Sequence, residues 1–141
     1  MADVHDQATR SYNMIKIKGA NTKPEMLVRT WLHANGFRYR LHRKDLPGKP
    51  DLTLSKYRTV LFVNGCFWHG HEDCRYFVLP KTRTDWWKNK IENTVKRDQK
   101  ALNDLNALGW YSLIVWECEL KKDKRDVTLH NLLSEIIMNK K

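Results

Sequence analysis

Apolar residues recur at helical spacing in three parts of the chain, and each of these parts predicts a helix. The first helix begins at Thr22, which has the spacing of a capping box with Glu25. The second is long: it starts near Thr84 and ends before Gly109. A third helix is expected after Thr128, which we predict to be its cap.

Four strands are expected between these helices, because short runs either alternate apolar and polar residues or are apolar throughout. The runs lie at residues 37–41, 51–54, 59–63 and 111–116. No such pattern covers residues 64–82, which are rich in His, Cys and aromatic residues. The order of elements predicts an α/β fold in which a small central sheet of about four strands is packed against helices.

The 141 residues suit one domain with an N-terminal arm. Residues 1–21 are polar and basic, and the apolar cluster around Met14 is too small for a core, so we expect an arm that folds onto a partner. A frayed terminus is the alternative. Residues 22–141 are then the folded domain. The sequence has neither a membrane-spanning run nor a secretory signal, which predicts a cytoplasmic protein.

Charge and aromatic content narrow the class of partner. Lys and Arg number 26 against 16 Asp and Glu, which gives a net charge of +10. A soluble chain of this charge is expected to bind a polyanion, most often nucleic acid. Six Trp residues are many for this length, and aromatic planes among basic side chains suit stacking on bases or wedging between them.

Two carboxylates are candidates for catalysis. Asp51 follows a proline at the start of a predicted strand, where it could hold Mg²⁺; a turn Asp that accepts hydrogen bonds from nearby backbone is the alternative. Asp98 lies on the helix face that we expect to meet the sheet, together with Ile91, Val95, Leu102 and Leu105. A buried carboxylate needs a cation, a His or several donors, so we expect a functional role, with a structural salt bridge as the alternative.

A Cys- and His-rich segment predicts a zinc site. Cys66, His71 and Cys74 have C-x4-H-x2-C spacing, which suits tetrahedral Zn²⁺, and Cys118 could complete a Cys₃His site. Such a site would hold in place a loop that has few apolar residues of its own. The alternative is three unligated thiols with His71 on the surface.

The same loop carries residues with other expected roles. His69 could be the general base that activates water, unless it replaces His71 as a zinc ligand. Phe67 and Trp68 suit insertion into a base stack; packing over the zinc site is the alternative.

Five separated motifs resemble the very-short-patch-repair (Vsr) DNA mismatch endonucleases. They are MADVHDQATRSYNM at the N-terminus, PGKPD at 47–51, NGCFWHGH at 64–71, TRT at 82–84 with VKRD at 95–98, and LGWYSLIVWEC at 108–118. The resemblance implies a restriction-endonuclease-like three-layer fold, with a small mixed central sheet flanked by helices and a structural zinc site.

The resemblance also implies the reaction. Members nick one DNA strand on the 5′ side of the T in a T·G mismatch, which arises when 5-methylcytosine deaminates, by Mg²⁺-dependent phosphodiester hydrolysis. The expected partner is double-stranded DNA that contains this mismatch, with a functional link to a cytosine-5 DNA methyltransferase and to mismatch-repair proteins. We expect a bacterial enzyme that acts at the nucleoid as a monomer.

Site residues follow from the matched motifs. The resemblance assigns Mg²⁺ to Asp51 and the backbone carbonyl of Val63. It assigns catalysis to Asp51, His69, Asp98 and Glu25, with His69 oriented by Asp98 or Glu25. It assigns zinc to Cys66, His71, Cys74 and Cys118. It assigns contact with DNA to Met14, Phe67, Trp68 and Trp87. Glu25 has a second interpretation, since the capping box alone would explain it.

Several positions depart from the pattern of the family. Val63 stands where a Thr is expected, Asn64 and Gly70 replace His, and the spacing from His71 to Cys74 is one residue longer. Helical geometry directs Trp87 toward the core and favours its neighbour Trp86 as the exposed residue, whereas the resemblance assigns the DNA contact to Trp87. Two other functions are considered: a sequence- or structure-specific nuclease on the same scaffold, and a non-catalytic, zinc-stabilised DNA-binding module.

Overall fold

The computed structural model describes residues 22–72 and 74–139, in which three helices and four strands follow one another in the predicted order. The helices are α1 (Lys23–Ala34), α2 (Thr84–Ala107) and α3 (Arg125–Asn139). The strands are β1 (Arg40–Leu41), β2 (Leu52–Leu54), β3 (Thr59–Asn64) and β4 (Tyr111–Trp116). No helix in this part of the chain is long and apolar enough to span a membrane. The predicted arm, residues 1–21 with Met14, lies outside the described residues.

The four strands form one mixed sheet in the order β1-β2-β3-β4. The first three are antiparallel neighbours, whereas β3 and β4 are parallel, with α2 as the crossover between them. Val63 pairs with Val115 and Asn64 with Trp116, so β3 and β4 end together at one edge of the sheet. That edge leads directly into the loop that carries Cys66 and into the 3₁₀ turn Glu117–Leu120.

Alternating residues of β3 send side chains to two separate cores, which makes the fold three-layered. Leu61 belongs to the larger core, where α1 and α3 cover one face of the sheet with Val28, Leu32, Leu129, Leu132 and Ile136. Val60 and Phe62 face the smaller core under α2, with Leu46, Leu105 and Trp110. The predicted α/β fold with a small mixed sheet between helices is confirmed.

Helix α3 begins at Arg125, four residues before the predicted first residue, so the prediction that Thr128 caps it was wrong. The carbonyl of Lys121 already accepts from the N–H groups of Lys124 and Arg125, each at 2.9 Å, and the chain turns directly into the helix. Thr128 lies inside the helix, where its N–H donates to the carbonyl of Lys124 at 3.0 Å.

The apolar stripe predicted for α2 is only partly buried. Ile91 and Leu105 are buried as expected, but Val95 is 42% exposed and Ala101 takes a place in the core instead. The reason is that the first half of α2 covers the loop that follows β3, not the sheet. Asp98 therefore faces a cleft beside that loop, with its side chain 35% exposed, rather than the sheet.

Strand β1 is shorter than the predicted run of residues 37–41. It keeps only Arg40 and Leu41, since residues 37–39 do not pair with β2; its end is as predicted, and the next residue, His42, has a left-handed φ of 49°. Phe37 is nevertheless buried in the larger core, so the apolar side of the run still packs inward.

Candidate active site and metal centre

Asp51 lies at the foot of a cleft, directly before β2. Its Oδ2 accepts a hydrogen bond of 2.7 Å from the backbone N–H of Val63, which links the start of β2 to the end of β3. Burial raises the pKa of the Asp51 carboxyl to about 7, and the nearby Glu25 carboxylate adds to the rise, whereas the bond from Val63 opposes it. A bound cation would offset the repulsion between these two carboxylates and favour the ionised form of Asp51.

Glu25 is turned into this site from the first turn of α1, and its side chain is 1% exposed. Its N–H donates to Oγ1 of Thr22 at 3.3 Å, so the predicted cap forms on one side only. The carboxylate is held instead by Nη1 of Arg29 at 3.0 Å and by Nε2 of His42 at 2.9 Å. Glu25 is therefore not a capping residue through its side chain, and its partner is not His69.

His42 is a residue of this site that the sequence analysis missed. Its Nε2 lies 3.0 and 2.9 Å from the two carboxylate oxygens of Glu25, and its N–H donates to the carbonyl of Asp51 at 3.0 Å. The antiparallel register, Leu41 with Leu52, sets His42 opposite Asp51. A predicted β1–β2 register would have found it, whereas a search for motifs could not.

His69 and Asp98 form the second acid–imidazole pair of the cleft. Nδ1 of His69 lies 2.7 Å from Oδ2 of Asp98, and the side chains are 30% and 35% exposed. Of the two partners expected for His69, the structure places Asp98 beside it. With Nδ1 engaged, Nε2 is the ring nitrogen that can take a proton from water.

One cleft of about 710 Å³ joins these groups. Its lining includes His42, Asp51, His69 and Asp98. Four basic residues line the same cleft: Lys44, Lys49, Arg97 and Lys100. Acid, imidazole and surrounding positive charge form an arrangement that can hold a phosphodiester beside a candidate base.

Four residues at the edge of the sheet form a separate candidate metal centre. One ligand atom from each of Cys66, His71, Cys74 and Cys118 lies within 4.8 Å of the others, and a Cys₃His set of this kind could hold zinc. Ligand atoms around a tetrahedral zinc ion with Zn–S bonds of ~2.3 Å are about 3.8 Å apart, so the four side chains need to move together only slightly to bind the ion. Cys74 belongs to the cluster despite the longer spacing that precedes it.

Local contacts hold these four residues in place. Cys118 donates its N–H to Sγ of Cys66 at 3.4 Å, and its own Sγ lies 3.5 Å from Nδ1 of His71. The His71 ring stacks on Trp116 with centroids 4.0 Å apart and planes 6° from parallel. Burial raises the pKa of the Cys66 thiol to about 12, so its thiolate requires the charge of a bound metal at neutral pH.

The three aromatic residues expected to meet DNA contact one another beside the cleft. Ring centroids of Phe67 lie 5.3 Å from Trp68 and 5.4 Å from Trp87, and the two Trp rings lie 5.6 Å apart. Trp87 is half-buried in this group, because α2 begins beyond the sheet and its first turn has no core to enter. Trp86 is 45% exposed, as helical geometry predicted, with Arg83 stacked over its ring at 4.7 Å.

Comparisons with known proteins agree on one family. A family model described as DNA mismatch endonuclease Vsr matches residues 2–75. The chain is 51% identical over 120 residues to the type II nicking enzyme V.XorIIP of Xanthomonas oryzae pv. oryzae, which covers 85% of this chain and 88% of that protein. It is 46% identical over 121 residues to the DNA mismatch endonuclease Vsr of Escherichia coli, which covers 86% of this chain and 77% of that protein.

Proposed function

Because the chain belongs to the family of Vsr DNA mismatch endonucleases and has its restriction-endonuclease-like fold, we propose that it nicks one strand of duplex DNA 5′ of the T in a T·G mismatch. The observation that carries this proposal is the shared cleft of Asp51 and the His69–Asp98 pair. A binding module would not need an imidazole held by a carboxylate beside a second, buried carboxylate.

The donors around Asp51 suit a hard divalent cation. We assign Mg²⁺ to the Asp51 carboxylate and the backbone carbonyl of Val63, with Glu25 supporting the site from α1. When bound, the ion supplies polarisation of the scissile phosphate and stabilises negative charge on the leaving oxygen. Lys49 and Arg97, which line the cleft, are placed to hold phosphates on either side.

His69 is the proposed general base. Asp98 accepts a hydrogen bond from the N–H at Nδ1, so that Nε2 stays free to take the proton from the attacking water. The water oxygen then bonds to phosphorus while the bond from phosphorus to the leaving oxygen breaks. The Cys₃His cluster, loaded with zinc, fixes the loop from which His69 projects, since His71 is only two residues away.

Selectivity for the mismatch is assigned to the aromatic group. A mispaired step costs less to unstack than a paired one, so insertion of Phe67, Trp68 and Trp87 is itself discriminating. The N-terminal arm, residues 1–21 with Met14, would contact the duplex on its other side. A monomer is sufficient for one nick, and a functional link to a cytosine-5 methyltransferase and to mismatch-repair proteins would follow from the origin of the lesion.

The proposal is tested with end-labelled duplexes that carry one T·G mismatch in several flanking contexts, beside matched T·A and C·G duplexes. Each is incubated with the zinc-loaded full chain, with and without Mg²⁺. The Asp51→Ala variant removes the cation ligand, and His33→Ala, at an exposed position on α1, is the matched control.

We expect a Mg²⁺-dependent single nick beside the mismatched T, lost in Asp51→Ala and kept in His33→Ala. Binding without cleavage in every context would instead favour a non-catalytic module. Cleavage of the matched duplexes would favour a nuclease with a different specificity on the same scaffold.

A further inference from the structure

His42 is the one imidazole of the cleft that the proposed mechanism does not use. It is 31% exposed at its side chain, and it lines the same cavity as Asp51 and His69. Its Nε2 is directed at the carboxylate of Glu25 with two contacts of 2.9 and 3.0 Å. An imidazole that contacts one carboxylate and lies within 4.8 Å of a second is chemically suited to be a third ligand for a cation.

The three groups meet from three different elements. Glu25 comes from α1, His42 from the end of β1 and Asp51 from the residue before β2, and one ligand atom of each lies within 4.8 Å of the others. No ion is needed to assemble them, because backbone and side-chain bonds already fix each group. The Glu25 carboxylate is held by Arg29, and the Asp51 carboxylate by the backbone N–H of Val63. The backbone N–H of His42 donates to the carbonyl of Asp51.

The chemistry of this donor set differs from that of a site built from oxygen alone. Mg²⁺ prefers oxygen ligands and keeps several waters, whereas imidazole nitrogen binds Mn²⁺, Fe²⁺ and Co²⁺ more readily. Nε2 of His42 faces the Glu25 carboxylate across 2.9 Å, so a divalent ion at this position could bind both groups. Arg29 offsets only part of the charge of the two carboxylates.

We propose that His42, Glu25 and Asp51 form a mixed nitrogen–oxygen site for a divalent transition-metal ion, with Nε2 of His42 as a direct ligand, so that the protein selects Mn²⁺ over Mg²⁺ more strongly than its carboxylates alone would. The inference rests on the proposed function in that the site is the one to which the Mg²⁺ used for nicking is assigned. It adds the identity of a ligand and a preference among metals.

The test uses the full, zinc-loaded chain with Mn²⁺ as the probe. Pulsed electron paramagnetic resonance of bound Mn²⁺ detects a directly coordinated ¹⁴N nucleus, and protein made with ¹⁵N-histidine changes that signal if the ligand is an imidazole. We expect the nitrogen coupling in the wild type and in His69→Gln, and its loss in His42→Gln. We also expect the ratio of Mn²⁺ to Mg²⁺ affinity to fall at least tenfold in His42→Gln.

The wild-type and His69→Gln spectra together decide the question, because His42 and His69 are the imidazoles among the described residues that line the cleft, so a failure of His42→Gln to fold would not prevent the test. Mn²⁺ bound with no nitrogen coupling, or coupling that is lost in His69→Gln instead, would overturn the proposal. Neither result would affect the nicking assay, because cleavage of T·G duplexes with Mg²⁺ is measured separately. Conversely, if the protein binds a nitrogen-coupled ion but does not nick DNA, the proposed metal site would stand and the proposed function would be contradicted.

Discussion

The surroundings of the Asp51 carboxyl group disfavour its ionised form. It is largely removed from water and lies near a second carboxylate, and burial raises its pKa to about 7. The unfolded chain ionises this group near 3.8. Between these two values the folded state binds a proton that the unfolded state lacks, so stability decreases as the pH rises from about 4 to about 7.

Asp51→Asn is therefore expected to stabilise the zinc-loaded, Mg²⁺-free protein at pH 8, by at most about 4 kcal/mol, and to have little effect near pH 4. Urea unfolding at the two pH values measures the difference. Asp45→Asn is the control, because Asp45 is exposed and the Arg43 guanidinium lowers its pKa, so no gain is expected there. Equal stability of wild type and Asp51→Asn at pH 8 would contradict the prediction.

The pairing of His69 with Asp98 predicts two different losses of activity. His69→Ala removes the base and should lower the single-turnover nicking rate by roughly 10² to 10⁴-fold, with partial rescue by added imidazole. Asp98→Asn keeps a side chain of the same size beside His69 and should lower the nicking rate less than His69→Ala does. Only the negative charge beside the His69 ring, and part of the control of its orientation, are lost. An Asp98→Asn variant slower than His69→Ala would argue against this order of roles.

Residues with a recognisable spacing were predictable, and residues brought together by pairing were not. Cys66, His71 and Cys74 lie within one short segment, so their ligand pattern is visible in the sequence. His42 and Glu25 are seventeen positions apart and meet only because α1 packs on the sheet. Glu25 also fits a capping box, and nothing local distinguishes the two interpretations.

At the scale of elements, the contact between α2 and the loop that carries Cys66 and His71 sets the position of His69. Gly70 has a φ of +61°, and a Cβ there would lie 2.8 Å from Cγ2 of Ile91 and 3.0 Å from Cγ2 of Val95. The absence of a side chain lets the loop lie directly on the helix that carries Asp98. The distance between His69 and Asp98 thus depends on a glycine.

Gly70→Ala should lower the free energy of unfolding by about 1–3 kcal/mol through backbone strain and overpacking, and should also slow nicking as His69 moves away from Asp98. Gly36→Ala is the matched control: its φ is +88°, but a Cβ there meets nothing within 4 Å. We expect Gly36→Ala to lose about 1 kcal/mol of stability and no activity. Thermal unfolding and single-turnover nicking of both variants distinguish local strain from loss of the pair.

Element types were predictable, whereas their ends depended on neighbours. The apolar run of β4 predicted the observed bounds, Tyr111–Trp116, because alternate residues of the strand are buried in the core and those between them are mostly half-buried. The apolar stripe predicted for α2 wrongly included Val95, which lies over an irregular loop whose position the helical pattern does not reveal. The start of α3 was misplaced, because the turn at Lys121 supplies bonds that Thr128 was expected to make.

At the scale of the whole molecule, a net charge of +10 is combined with basic residues around an acidic cleft. Binding to DNA should therefore weaken steeply with salt, since each neutralised phosphate releases counterions. Lys49→Gln and Arg97→Gln should each reduce the slope of log K against log salt by about 1. Lys56→Gln, in the turn at the opposite edge of the sheet, should leave that slope unchanged; fluorescence anisotropy on one duplex measures all three.

The metal centre also has a consequence for the order in which the chain folds. Cys66 and Cys118 are 52 residues apart and follow two parallel strands, which are pairings that form slowly because a long loop must close first. Cys66, His71 and Cys74 are local and can capture zinc before that closure. Zinc bound there, as proposed, would leave a vacant position for Cys118 and so bring β4 to β3 in the correct register; we therefore expect the rate of refolding, as well as the final stability, to depend on zinc.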